Sequence, residues 1–109
     1  AYSVFPIKII YLLAPRATER APARTGFSVP KRKFKKAADR QRIKRLMREA
    51  WRLQKHRLYD SIPPNVQVRL FLIFTDHVLP DYEAVCRAVD RVITRLVAEV
   101  QSPPHSPGN

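Results

Sequence analysis

Residues 31–57, KRKFKKAADRQRIKRLMREAWRLQKHR, limit what this chain can fold into more than any other stretch. They hold 13 lysines and arginines against two acids, Asp39 and Glu49, and so carry +11 of the chain's formal +12. A basic run of this kind is either a solvated tail or one face of a helix, and periodicity decides between them. At about 100° per residue, Ile43, Leu46, Met47, Ala50, Trp51 and Leu53 fall in one arc of a helix. Lys44, Arg45, Arg48, Arg52 and Lys55 fall in the opposite arc. The stretch therefore predicts an amphipathic helix, apolar towards a core and cationic towards a partner. Asp39 stands where an N-cap is expected, with its charge at the positive end of the dipole. Glu49 is spaced to pair with Arg45 or Arg52. A merely solvated face would mix signs; this one implies a polyanionic partner.

With 109 residues, 45% of them hydrophobic, the chain is expected to form one domain over 1–100 with a modest core. The single cysteine, Cys86, excludes an internal disulfide and points to a cytoplasmic setting. The apolar opening, YSVFPIKIIYLLAP, is too short to span a bilayer and is broken by Pro6 and Lys8. It has neither the basic leader nor the cleavage pattern of a signal peptide. Because Ala1 runs straight into this stretch without a methionine, a preceding residue or element is expected.

Taken in order, residues 3–13 read as one strand, with Phe5, Ile7, Ile9 and Tyr11 on one face and Lys8, Ile10 and Leu12 on the other. APRATERAPAR reads as a loop, and 24–30 as a second strand with Thr25, Phe27 and Val29 on one face. Arg24, Gly26 and Ser28 form its other face, small enough for another backbone to approach. Pro63 and Pro64 end the basic helix region. The third strand, 66–75, places Val66, Val68, Leu70, Leu72 and Phe74 towards the core. Residues 81–100 repeat apolar side chains at helical spacing and form a second amphipathic helix. The tail, 101–109, reads as disordered. The sum is a small two-layer α+β sandwich.

Little in the chain suits catalysis by its own side chains. Asp76, Asp81 and Glu83 cluster near a strand–helix junction, where loop polarity and helix N-terminal charge explain them better than a metal site. His56, His77 and His105 have no carboxylate or nucleophile at useful spacing. Cys86 falls on the apolar face of the last helix, as a small core residue. The two glycines, Gly26 and Gly108, make no phosphate-cradling loop.

The run GFSVPKRKFKKAADRQRIKRLMREAWR, residues 26–52, resembles the core motif of the bacterial ribonuclease P protein component. The matching elements are Ser28-Val29 at a strand end, the lysine-rich turn Lys31 to Lys36, Arg40-Gln41-Arg42 at the helix start, Ile43-Lys44-Arg45-Leu46, and Arg48-Glu49. More loosely, the likeness extends over about 100 residues. It implies an αβββαβα domain with a left-handed βαβ crossover, against the right-handed default. It implies two RNA partners, a catalytic RNA and precursor tRNA, whose 5′ leader the complex removes. No obligate protein partner and no membrane are implied. No cofactor is expected on protein side chains alone; magnesium is expected at the RNA–protein–substrate interface, with hydrolysis carried out by the RNA subunit. Two departures stand out. Gln41 replaces the family's asparagine, adding a methylene between backbone and amide. The family's first helix, whose aromatics help line the leader cleft, is expected to be missing before the first strand.

On this resemblance, the RNA-binding residues are Lys31, Arg32, Lys33, Lys35, Lys36, Arg40, Gln41, Arg42, Lys44, Arg45, Arg48 and Arg52. Arginine forks suit bidentate phosphate contact, and lysines act as point charges. The leader cleft is expected at Tyr11, Arg24, Gly26 and Ser28, with Tyr11 either stacking a base or serving as a half-buried strand tyrosine. The rival readings are a ribosomal-type structural RNA-binding protein and a basic-helix DNA-binding protein. The second lacks the partner helix or heptad seam such proteins use.

Overall fold

A computed structural model describes residues 2–16 and 21–101. Four strands and three helices follow in the order β1 (Tyr2–Val4), β2 (Ile7–Pro15), β3 (Ala23–Ser28), α1 (Ala37–Gln54), α2 (His56–Tyr59), β4 (Val66–Phe74) and α3 (Tyr82–Gln101). The sheet order is β1-β2-β4-β3. β2 lies antiparallel to both β1 and β4, while β3 and β4 are parallel. Parallel neighbours need a crossover. Here α1 and α2 supply it, so the basic helix is the connection of a βαβ unit.

The single strand expected over 3–13 is a hairpin instead. Val4 pairs with Ile7 and Tyr2 with Ile9, leaving Phe5 and Pro6 as the turn; the Phe5–Pro6 peptide is cis. Alternation runs unbroken through this turn in the sequence, which is why the fold-back was not legible there. Phe5 consequently leaves the face it was expected to share with Ile7, Ile9 and Tyr11 and stands 64% exposed. Ile7 and Ile9 are buried as expected. β2 also runs on to Pro15, so the following connection is shorter than predicted; its residues 17–20 lie outside the described residues. In the expected tail, Gln101 closes α3, and 102–109 lie outside the described residues.

Both long helices cover one face of the sheet. Val68, Leu70, Leu72 and Phe74 from β4 meet Ile43, Met47, Ala50 and Trp51 from α1 and Val85, Val89, Val92, Ile93 and Leu96 from α3 in one core. α1 packs on α3 and β3, and α3 on β1 and β2. Leu53, assigned to the apolar arc, is 57% exposed; it sits at the edge of the arc and the core closes without it. Cys86 is partly buried against this core, and its carbonyl accepts a hydrogen bond from Gln54 Nε2 at 3.1 Å. Asp81 Oδ1 accepts the Ala84 N–H at 2.8 Å and so caps α3, at the helix N-terminus where its charge was expected. No described helix is long and apolar enough to cross a membrane.

The opposite sheet face is not covered by either helix. The register places Leu12, Arg69 and Arg24 in one row, Ile10, Phe71 and Gly26 in the next, and Lys8, Ile73 and Ser28 in the third. Ile10, Leu12 and Phe71 are each about half exposed or more there.

Candidate RNA interface

The lysine turn is built, not loose. After β3, the Pro30 carbonyl accepts N–H groups from Lys33 at 3.1 Å and Phe34 at 3.3 Å. Phe34 then drives its ring into the core, 6.0 Å from the Phe74 ring centroid. That anchor lets Lys31, Arg32, Lys35 and Lys36 stand exposed around it, with Lys33 half-buried.

Arg40 closes the turn from the helix side. Its Nη1 donates to Phe34 O at 2.8 Å and to Lys35 O at 2.9 Å. Charge-assisted bonds to two carbonyls fix the turn's exit into α1. Asp39 does not cap the helix: Lys36 occupies the N-cap with extended backbone and offers no side-chain acceptor. Asp39 lies in the first turn, where its charge still faces the positive end of the dipole.

Further along α1, Gln41, Arg42, Arg45 and Arg48 are exposed and Lys44 is half-buried. The Arg48 guanidinium sits 6.0 Å from the Phe27 ring centroid, a cation–π contact that holds it beside the β3 edge. Glu49 pairs with Arg52, accepting Nε at 3.2 Å and Nη2 on its second oxygen. That hydrogen bond holds the Glu49 carboxyl below its usual range. Of the basic residues predicted to bind RNA, Arg52 is thus the one already neutralised. The turn and helix together make one continuous cationic surface from Lys31 to Arg48.

Three of the four residues predicted for the leader cleft, Tyr11, Arg24 and Gly26, border one groove, but the Tyr11 side chain is turned away from it. Arg24, Gly26 and Ser28 belong to the open sheet face, whereas Tyr11 points to the helical side. Its hydroxyl donates to Glu99 Oε1 of α3 at 2.8 Å. Burial, reinforced by this bond, holds the phenol above its usual pKa. Tyr11 is the half-buried strand tyrosine of the two alternatives. Alternation had already placed it with Ile7 and Ile9; choosing it for its aromatic ring overrode that parity.

Nor is the space above Gly26 vacant. A Cβ on Gly26 would lie 2.4 Å from Phe71 Cε1, so the absent side chain is replaced by the Phe71 ring from the next strand. The result is a groove of about 420 Å³ along residues 10–12, 24–26 and 69–71. Its exposed side chains are Ile10, Leu12 and Phe71, with Arg24 and Arg69 at one end. Gln67, which is buried, donates to Ala21 O at 3.0 Å and accepts Arg69 Nε at 3.2 Å. Arg69 is thereby oriented through Nε, and among the described residues its Nη groups make no hydrogen bond. From sequence, Arg69 and Phe71 fall among the mixed, partly open odd positions of β4 but are not assigned to the cleft, although that parity was the available signal. Among the described residues, no three His, Cys, Asp or Glu side chains gather as a metal site.

The family model described as Ribonuclease P matches residues 4–97. The ribonuclease P protein component of Porphyromonas gingivalis is 35% identical over 106 residues, covering 94% of this chain and 74% of that protein. That of Chlorobaculum tepidum is 56% identical over 60 residues, covering 50% of this chain and 39% of its own. No solved structure matches the chain. A family match from the end of β1 into the last turns of α3, joined to a relative of this identity over nearly the full chain, places the protein in the ribonuclease P protein family.

Proposed function

We propose that the chain acts as the protein subunit of ribonuclease P, binding the catalytic RNA through the turn and α1 and the 5′ leader of precursor tRNA in the sheet groove. One observation carries this reading: a cationic surface fixed by Phe34 and Arg40 lies on one side of β3, and an open apolar groove with two arginines at one end lies on the other. A structural RNA-binding protein needs the first alone. In the division of labour we infer, Lys31, Arg32, Lys35 and Lys36 meet phosphates around the turn, and Arg42, Arg45 and Arg48 meet them along the helix. Arg24 and Arg69 neutralise leader phosphates, while Phe71, backed by Gly26, offers a π-face to an unstacked base. These contacts read charge and shape, so leader sequence preference is weak. The hydrolytic step belongs to the RNA and its magnesium ions; the protein side chains position both RNAs. A cytoplasmic site of action accords with these partners.

The reading is tested by leader discrimination. The complex of the chain with ribonuclease P RNA is expected to bind leader-bearing precursor tRNA more tightly than mature tRNA. Arg69→Ala is expected to shrink that difference while leaving affinity for the catalytic RNA unchanged. Equal binding of precursor and mature tRNA by the parent complex would contradict the groove assignment.

A further inference from the structure

The β1–β2 turn carries a side chain that the cationic surface and the groove leave unexplained. Two-residue hairpin turns ordinarily hold Asn, Gly or Asp, which suit the backbone and are well solvated. This one presents Phe5, 64% exposed. The turn is also tied down from two sides. The Pro6 carbonyl accepts the Thr75 N–H at 2.8 Å, and the Phe5 carbonyl accepts Arg91 Nη2 of α3 at 3.2 Å. Arg87 stands one helical turn before Arg91 on the same row and is exposed. Nearby Asp90 is engaged by Arg57, which leaves Glu83 as the acid leading this row.

Position in the sheet then selects the partner. β4 runs parallel to β3, and the register joins Phe74 to Ile7 and Ile7 to Val4. The Phe5 turn therefore leaves the sheet at the same end as the lysine turn, whose Phe34 packs on Phe74. Three strand spacings, about 14 Å, separate the two sheet edges. A single folded RNA reaches both.

We propose that Phe5, with Arg91 and Arg87, forms a second contact for the catalytic RNA: a stacking platform for one unpaired base whose neighbouring phosphates meet the two arginines. This rests on the reading of the lysine turn as a catalytic-RNA contact. An exposed aromatic side chain on a held turn, with guanidinium groups nearby, is the combination single-stranded RNA recognition uses. It lies apart from the leader groove, which occupies the outer face of the sheet.

The test measures affinity of the full chain for ribonuclease P RNA alone and for precursor tRNA alone, with Phe5→Ala, Phe5→Trp and Arg45→Ala variants. Loss of the stacking contact is expected to weaken binding of the catalytic RNA about 5- to 150-fold in Phe5→Ala. Phe5→Trp is expected to restore it, and binding of precursor tRNA alone is expected to stay unchanged. A photoreactive benzoylphenylalanine in place of Phe5 should crosslink to the catalytic RNA. Phe5→Ala within twofold of the parent, while Arg45→Ala binds weakly, would overturn the proposal and leave the lysine-turn reading standing. Crosslinking to precursor tRNA or to protein alone would also overturn it. If Arg45→Ala and Phe5→Ala are both silent, the underlying RNA reading fails as well.

Discussion

Raising salt from 50 to 200 mM is expected to weaken binding of this chain to ribonuclease P RNA by about 10³- to 10⁵-fold, the loss for six to ten phosphate contacts. The surface from Lys31 to Arg48 holds enough exposed cations for that number. The slope of log affinity against log salt then separates two roles. Arg45 is an exposed helix residue, so Arg45→Ala should make the slope shallower by about one contact, or about 0.7–0.9. Arg40 is different, because its Nη1 bonds the carbonyls of Phe34 and Lys35. Arg40→Ala releases the exit of the turn, and the turn's lysines lose their common orientation. Its slope should fall by more than one contact. Equal slopes for the two variants would mean that Arg40 is only another phosphate ligand.

Phe34→Ala is expected to cost about 3–5 kcal/mol of unfolding free energy, the range for removing a buried phenylalanine. Phe34 is 6% exposed and packs against Phe74, so its loss leaves a cavity at the end of the sheet. A fall in the urea midpoint with an unchanged m-value would report this as lost stability. The same variant, under conditions where it remains folded, should bind the catalytic RNA less tightly than the parent, because the turn has lost its anchor. A cost below about 1 kcal/mol would show that the ring does not pin the turn.

The ease of reading differed between parts of the molecule for physical reasons. α1 and α3 were legible because each must bury a continuous stripe, and a stripe on a helix appears in sequence as a 3.6-residue period. β4 was legible because its even positions are uniformly apolar and buried or nearly so. The hairpin was not, since a two-residue turn leaves the alternation of Phe5, Ile7 and Ile9 intact. The cationic surface was visible as composition, but not the work inside it. Nothing in the spacing of Arg40 tells that its guanidinium bonds two backbone carbonyls, or that Glu49 takes Arg52 rather than Arg45. The groove was half visible. Arg24, Gly26 and Ser28 have the right parity, yet their partners Phe71 and Ile10 come from strands whose neighbours only the register reveals. The resemblance to the ribonuclease P protein family supplied the function, which charge and periodicity alone left shared with other RNA-binding proteins.

Reconstitution tests the central claim most directly. The chain is mixed with bacterial ribonuclease P RNA at low magnesium, and 5′ cleavage of a precursor tRNA is followed. Stimulation that requires the RNA, is absent with the chain alone and weakens with Arg45→Ala is the predicted result. Cleavage by the chain without RNA, or RNA-dependent cleavage that the chain leaves unchanged, would contradict it.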